Sequence, residues 1–136
     1  MADYQRARHS VTALHVHMVF VTKYRRRVFT APILTRCEHI MRTICAELGA
    51  TLDEFNGEPD HVHLLITYPP TLAISTLAMR LKGRTAHTIR SENRLHISTL
   101  RMNGHLWSPA YFAASAGGAP LATIKQYIEI QERPTQ

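Results

Sequence analysis

The sequence predicts an α+β domain of the ferredoxin-like (RRM-like) class: an antiparallel sheet with two helices on one face and an added C-terminal helix. Three observations carry that prediction. Apolar residues alternate with a period of two in several short segments, they recur at helical spacing in two longer ones, and the segments follow the order β-α-β-β-α-β-α. The first six members of that order form a split βαβ arrangement. The 136 residues suit one domain with one hydrophobic core. With 45% hydrophobic and 19% charged residues, the chain reads as globular rather than disordered.

The first strand is read from LHVHMVFVTKY, Leu14 to Tyr24, where Leu14, Val16, Met18 and Phe20 share a face. TAPILTRCEHIMRTICAELGA follows as a helix, with Pro32 in its first turn and Gly49 as its stop. Its buried stripe is Ile33, Cys37, Ile40, Met41, Ile44 and Leu48. TLDEFNG reads as a short strand ending at a turn, and HVHLLITY, His61 to Tyr68, as the next strand. Thr71 is placed to cap a second helix, in which Ile74, Leu77, Leu81, Thr85 and Ile89 keep helical spacing. HLWSPAYFAAS is the final extended segment. Gly117 and Gly118 interrupt the chain, and Pro120 opens the last helix, PLATIKQYIEIQER. The expected organisation is one domain over 1–136, with a core at 14–116, a hinge at 117–118 and a terminal helix at 120–133.

Sixteen lysines and arginines against ten acids give a formal charge of +6, which favours a polyanionic partner, nucleic acid first and an acidic membrane surface second. Cys37 and Cys45 lie eight residues apart on one predicted helix, too far for a disulfide between them. They are expected as reduced, buried thiols. No CxxC pair occurs, which excludes a structural zinc site of that type. The stretch MADYQRARHS lacks an apolar signal core, and no apolar run reaches membrane-spanning length. The expectation is a soluble, cytoplasmic protein.

The chemistry concentrates in PDHVHLLITYPP. On a strand, His61 and His63 point to one side while Val62, Leu64 and Ile66 point to the core on the other. Two imidazoles so placed can chelate one divalent ion, and they can equally be polar residues of a half-wet sheet face. A second copy, His15-Val16-His17, carries the same ambiguity. On the last helix, Tyr127 and Gln131 are four residues apart and share a face. The glutamine oxygen is suited to be a third ligand. The tyrosine oxygen is suited to attack a polarised phosphate, despite a phenol pKa near ~10. In the plainer reading Tyr127 joins Leu121, Ile124 and Ile128 in an apolar packing stripe.

FVTKYRRRVF, PDHVHLLI, LKGRTA, WSPAYF and YIEIQ together resemble, in order and at fitting separations, the blocks of the single-tyrosine HUH transposases of the insertion sequence two-hundred/six-hundred-and-five type. The resemblance spans about residues 14 to 132. It implies that His61 and His63 are the HUH pair, Tyr127 the nucleophile and Gln131 the third ligand, and that His15 and His17 are sheet-face residues. Ile130 departs from the pattern, since family members often carry Asn there. The resemblance further implies action on single-stranded DNA with subterminal hairpins, a 5′-phosphotyrosine intermediate, and Mg²⁺ or Mn²⁺ as cofactor. It implies a homodimer whose tyrosine helix can act in trans through the Gly117-Gly118 hinge. Lys23, Arg25, Arg26, Arg27, Arg80, Lys82 and Arg84 are the candidate phosphate contacts. Two further readings fit the same residues: a domesticated relative processing chromosomal repeats, and a non-catalytic nucleic-acid-binding module of the same fold.

Overall fold

Alternation along LHVHMVFV builds the strand around which the rest of the sheet assembles. A computed structural model describes residues 5–7, 10–12, 14–102, 104–115 and 126–130. A short hairpin comes first, β1 (Gln5–Ala7) paired antiparallel with β2 (Ser10–Thr12). It was not expected, because three-residue strands are too short to show a period. β3 (Leu14–Val21), β4 (Thr51–Glu58), β5 (His61–Tyr68) and β6 (Phe112–Ser115) then form an antiparallel sheet in the order β4-β5-β3-β6. With helices α1 (Ala31–Glu47) and α2 (Ile74–Glu92) in the two crossovers, this is the split βαβ order the sequence predicted.

The helices lie where the apolar alternates point. Val16, Met18 and Phe20 of β3 and Val62, Leu64 and Ile66 of β5 are buried in one cluster with Ile33, Cys37, Met41 and Ile44 of α1 and Leu77, Leu81 and Ile89 of α2. Each large side chain so buried contributes about 1.5–3 kcal/mol relative to exposure. Thr30 caps α1 by accepting from Ile33 N at 3.4 Å, and Gly49 ends it with φ +75°, a left-handed angle that favours glycine. Gly57 of β4 faces Leu34 of α1 so closely that a Cβ there would collide with both of its terminal methyls. Cys37 and Cys45 are buried and free, as expected.

Several boundaries differ from the sequence-based expectation. β3 ends at Val21, and Lys23–Arg25 form a 3-10 turn in which Tyr24 and Arg25 take left-handed φ values of 58° and 54°. The Thr22 hydroxyl closes that turn by donating to Arg26 O at 2.7 Å. Thr71 does not cap α2: the Pro69 carbonyl accepts from Leu72 N, the turn carries the chain past Thr71, and Ala73 occupies the cap without a side-chain bond. A short helix α3 (Arg94–Thr99) follows α2 and was not expected. Of HLWSPAYFAAS, only Phe112–Ser115 pairs as a strand beyond the Thr22–Trp107 bridge. Leu106 and Trp107 instead fold into the core, where the Trp107 indole donates to Thr85 Oγ1 at 2.9 Å. The Gly117-Gly118 hinge lies outside the described residues, as does most of the 120–133 helix. Residues 126–129 are helical. Among the described residues no helix is long and apolar enough to cross a membrane.

Candidate active site

The sheet's second face is laid out by strand register. Its rows read Glu58–His61–Val21, then Asn56–His63–Val19–Phe112, then Glu54–Leu65–His17–Ala114. The period-two rule thus puts both histidines of β5 on the face opposite the helices, as expected. Their rings stand 4.9 Å apart between centroids, at an interplanar angle of 73°. His17 comes within 5.8 Å of His63, so one member of the other histidine pair borders the first. His15 is drawn away, bonding Thr67 at 3.0 Å, while Thr67 donates to Asp53 at 2.5 Å.

Asp60 organises the pair. One of its oxygens lies 2.7 Å from His61 Nδ1, and the other accepts from Arg25 Nε at 3.0 Å. Burial alone would raise the Asp60 pKa, but the bonds from His61 and Arg25 outweigh it and hold the carboxyl below its usual range. An ionised Asp60 can only accept, so His61 Nδ1 donates to it, and in the neutral imidazole Nε2 is then the atom with the lone pair. This is the carboxylate–histidine pairing that orients metal-binding imidazoles. Burial, with His61 and His17 beside it, pulls the His63 pKa down to about 4, so its ring is neutral at pH 7. Neutral imidazole is the ligating form. Among the described residues no group of three His, Cys, Asp or Glu side chains is arranged to hold a metal ion. His61 and His63 thus offer two imidazole donors, fewer than the four ligands usual around a bound zinc-type ion. Gln131, the expected third ligand, lies outside the described residues.

The helical turn 126–129 packs on this same face. Ile128 is buried against Val19 and Val21, the β3 partners of His63 and His61. Tyr127 is half-buried, its ring 5.5 Å from that of Phe112. Burial raises the pKa of its phenol. Tyr127 and Ile128 thus do join an apolar contact, and that contact is laid over the strand adjoining the histidines.

Residues 10–131 match the family model described as IS200-like transposase. The chain belongs to that family. This IS200-like chain is 29% identical to the ISDra2 transposase TnpA of Deinococcus radiodurans over 134 residues, covering 95% of this chain and 91% of the relative. It is 27% identical over 131 residues to the transposase for insertion sequence element IS200 of Salmonella typhimurium, covering 96% and 85%. Among solved structures, a transposase from D. radiodurans R1 superposes with a TM-score of 0.85 at 30% identity, covering 96% of this chain and 99% of that one. A REP-associated tyrosine transposase, solved bound to a REP hairpin, shares the fold at TM-score 0.56 and 13% identity, covering 95% and 69%.

The basic residues singled out from the sequence fare differently within this IS200-like fold. Arg25 is tied to Asp60, and Arg80 and Arg84 share Glu47 at 3.7 and 3.2 Å. Lys23 and Arg26 lie over the Tyr24 ring at 5.2 and 6.0 Å, while Arg27 is exposed. Lys82 has a structural role in this fold. Its ammonium donates to the carbonyls of Ser108, Pro109 and Ala110 at 2.8–3.3 Å, which makes it an anchor for the segment leading into β6. Sequence reasoning missed Asp60, although it directly precedes His61. It also missed Glu54, Asn56 and Glu58, which with His17 and His63 line an open cleft of about 600 Å³. Only the β4–β5 register, with its irregularity at Asp53, brings those three to the histidine side.

Proposed function

We propose that this transposase cuts and rejoins single-stranded DNA at insertion-sequence ends through a 5′-phosphotyrosine intermediate on Tyr127. The observation that carries the reading is the packing of the Tyr127–Ile128 turn over Val19 and Val21, the partners of His63 and His61. Tyr127 Oη would attack the scissile phosphorus and lose its proton. The bond from phosphorus to the 3′ oxygen would break, and that oxygen would leave as a 3′-hydroxyl with the proton. The new phosphodiester keeps the bond energy, so a second 3′-hydroxyl can displace the tyrosine without ATP. His61 and His63, with Gln131, would hold Mg²⁺ or Mn²⁺, which when bound withdraws electron density from the phosphate. Asp60 fixes the His61 ring, and burial keeps His63 neutral. The raised phenol pKa leaves Tyr127 protonated at rest, so proton removal accompanies attack rather than preceding it.

The working unit in this proposal is a homodimer reading subterminal DNA hairpins, with the tyrosine helix able to complete the partner's histidine site through Gly117-Gly118. The test is incubation of the protein with single-stranded element-end DNA and Mg²⁺, followed by a search for a covalent protein–DNA adduct. Wild type is expected to form one, and Tyr127→Phe and His63→Ala to form none. Adduct formation by Tyr127→Phe, or undiminished cleavage in EDTA, would sink the mechanism.

A further inference from the structure

Five arginines described in this fold have a carboxylate partner: Arg25 with Asp60, Arg36 with Glu92, Arg42 with Glu38, and Arg80 and Arg84 with Glu47. Three at the far end of α2 have no ion-pair partner among the described residues: Arg90, Arg94 and Arg101. With His87, Ser91 and Ser98 they line an open cleft of about 590 Å³ whose wall contains no carboxylate among the described residues. Arg101 holds a left-handed φ of 54°, a conformation that costs a non-glycine residue roughly 1–2 kcal/mol. Strain of that kind persists where surrounding structure imposes it, commonly at ligand sites. Three guanidinium-bearing side chains line this one cleft, and a phosphodiester chain supplies a matching negative charge, with two oxygens per phosphate for the planar fork.

The cleft's position restricts which phosphates it can hold. Ile97 packs against the core cluster that contains Ile89 and Met102, between helices and sheet, whereas His61 and His63 face away on the other side. We propose that this cleft grips backbone phosphates of the substrate DNA at a distance from the phosphate that Tyr127 attacks. This rests on the reading of the protein as acting on DNA. It adds a second region of DNA binding on the helix side of the molecule.

The test uses full-length protein carrying Tyr127→Phe, so that binding is measured without covalent trapping. Affinity is followed by fluorescence anisotropy across a salt series, with a long oligothymidylate and a stable DNA hairpin as separate probes. The triple variant Arg90→Gln, Arg94→Gln, Arg101→Gln is expected to flatten the slope of log affinity against log salt. The change should be about 0.7 for each phosphate no longer neutralised on the single strand, or about 0.9 on the paired stem. Flattening on the hairpin alone assigns the cleft to the stem. Flattening on oligothymidylate alone assigns it to an unpaired flank. The matching triple lysine variant keeps the charge and should keep the slope. Unchanged slopes on both probes with the glutamine variant would overturn the proposal. Equal flattening by the lysine variant would overturn it too, as a disturbance of the fold. Adduct formation by the wild-type protein reads the catalytic proposal separately, so either can fail alone.

Discussion

The two faces of the sheet share every backbone atom and differ in almost everything else. On the helix side, β3 and β5 present Val16, Met18, Phe20, Val62, Leu64 and Ile66, all buried. On the other, the same strands present His17, Val19, Val21, His61 and His63, with an Asp60–Arg25 pair at one corner and a turn of helix laid over the valines. The helix side is fixed by volume, since any apolar group of the right size fills it. The histidine side is fixed by direction, since each ring has a particular nitrogen to present. One strand can meet both demands because its alternate residues never compete for the same space.

The sharpest way to break this comparison is to mutate neighbours on β5. Leu64→Ala should cost about 2–5 kcal/mol of stability, a cavity in the core, which is a factor of tens to thousands in the folding equilibrium. His63→Ala, one residue away, should change stability by less than about 1 kcal/mol. Urea denaturation midpoints of the two variants would test this, and equal losses would mean the second face is core as well. A smaller effect is expected at the thiols of α1. Burial pushes both Cys37 and Cys45 up to about 12, with Glu38 adding to the rise at Cys37. A raised thiol pKa means less thiolate, so at pH 8 roughly one thiol in ten thousand is reactive, about a thousandfold below an unshifted one. Iodoacetamide should therefore leave the native protein unlabelled and modify both cysteines in denaturant. Rapid native labelling would show the helix side opening. Smaller again, Asp60→Asn should weaken metal affinity or cleavage about 10–100-fold while the protein stays folded. Titration calorimetry with Mn²⁺ would check it, and an unaltered affinity would detach Asp60 from His61's orientation.

Which of these features could be read from the sequence follows from the same contrast. HVHLLITY alternates cleanly enough that its ends, its core-facing Val62, Leu64 and Ile66 and the side of its histidines were legible in one dimension, though not the burial of Thr67. The helical stripes of α1 and α2 were legible for the same reason, apart from Leu48 and Ile74, which are half-exposed, and Ala78, which is buried. The neighbours of His63 were not, because Asn56, Val19 and His17 reach it only through registers between strands far apart in the chain. The anchoring role of Lys82 was not legible, because it depends on carbonyls of a segment far along the chain. The roles proposed for Tyr127 and Gln131 rest on family resemblance, and spacing alone favoured packing for Tyr127.

Gly57 shows what it means for a chemical surface to be only one strand thick. The glycine looks toward α1, where Leu34 leaves no room for even a methyl group. Its chain neighbours Asn56 and Glu58 look the other way, beside His63 and His61. A larger residue at Gly57 would have to push the Leu34 side chain aside or else lift the edge strand off the helix, and a lift would reappear on the far side as a misalignment of the cleft wall. The height of that wall is thus set from behind, by a side chain that is missing.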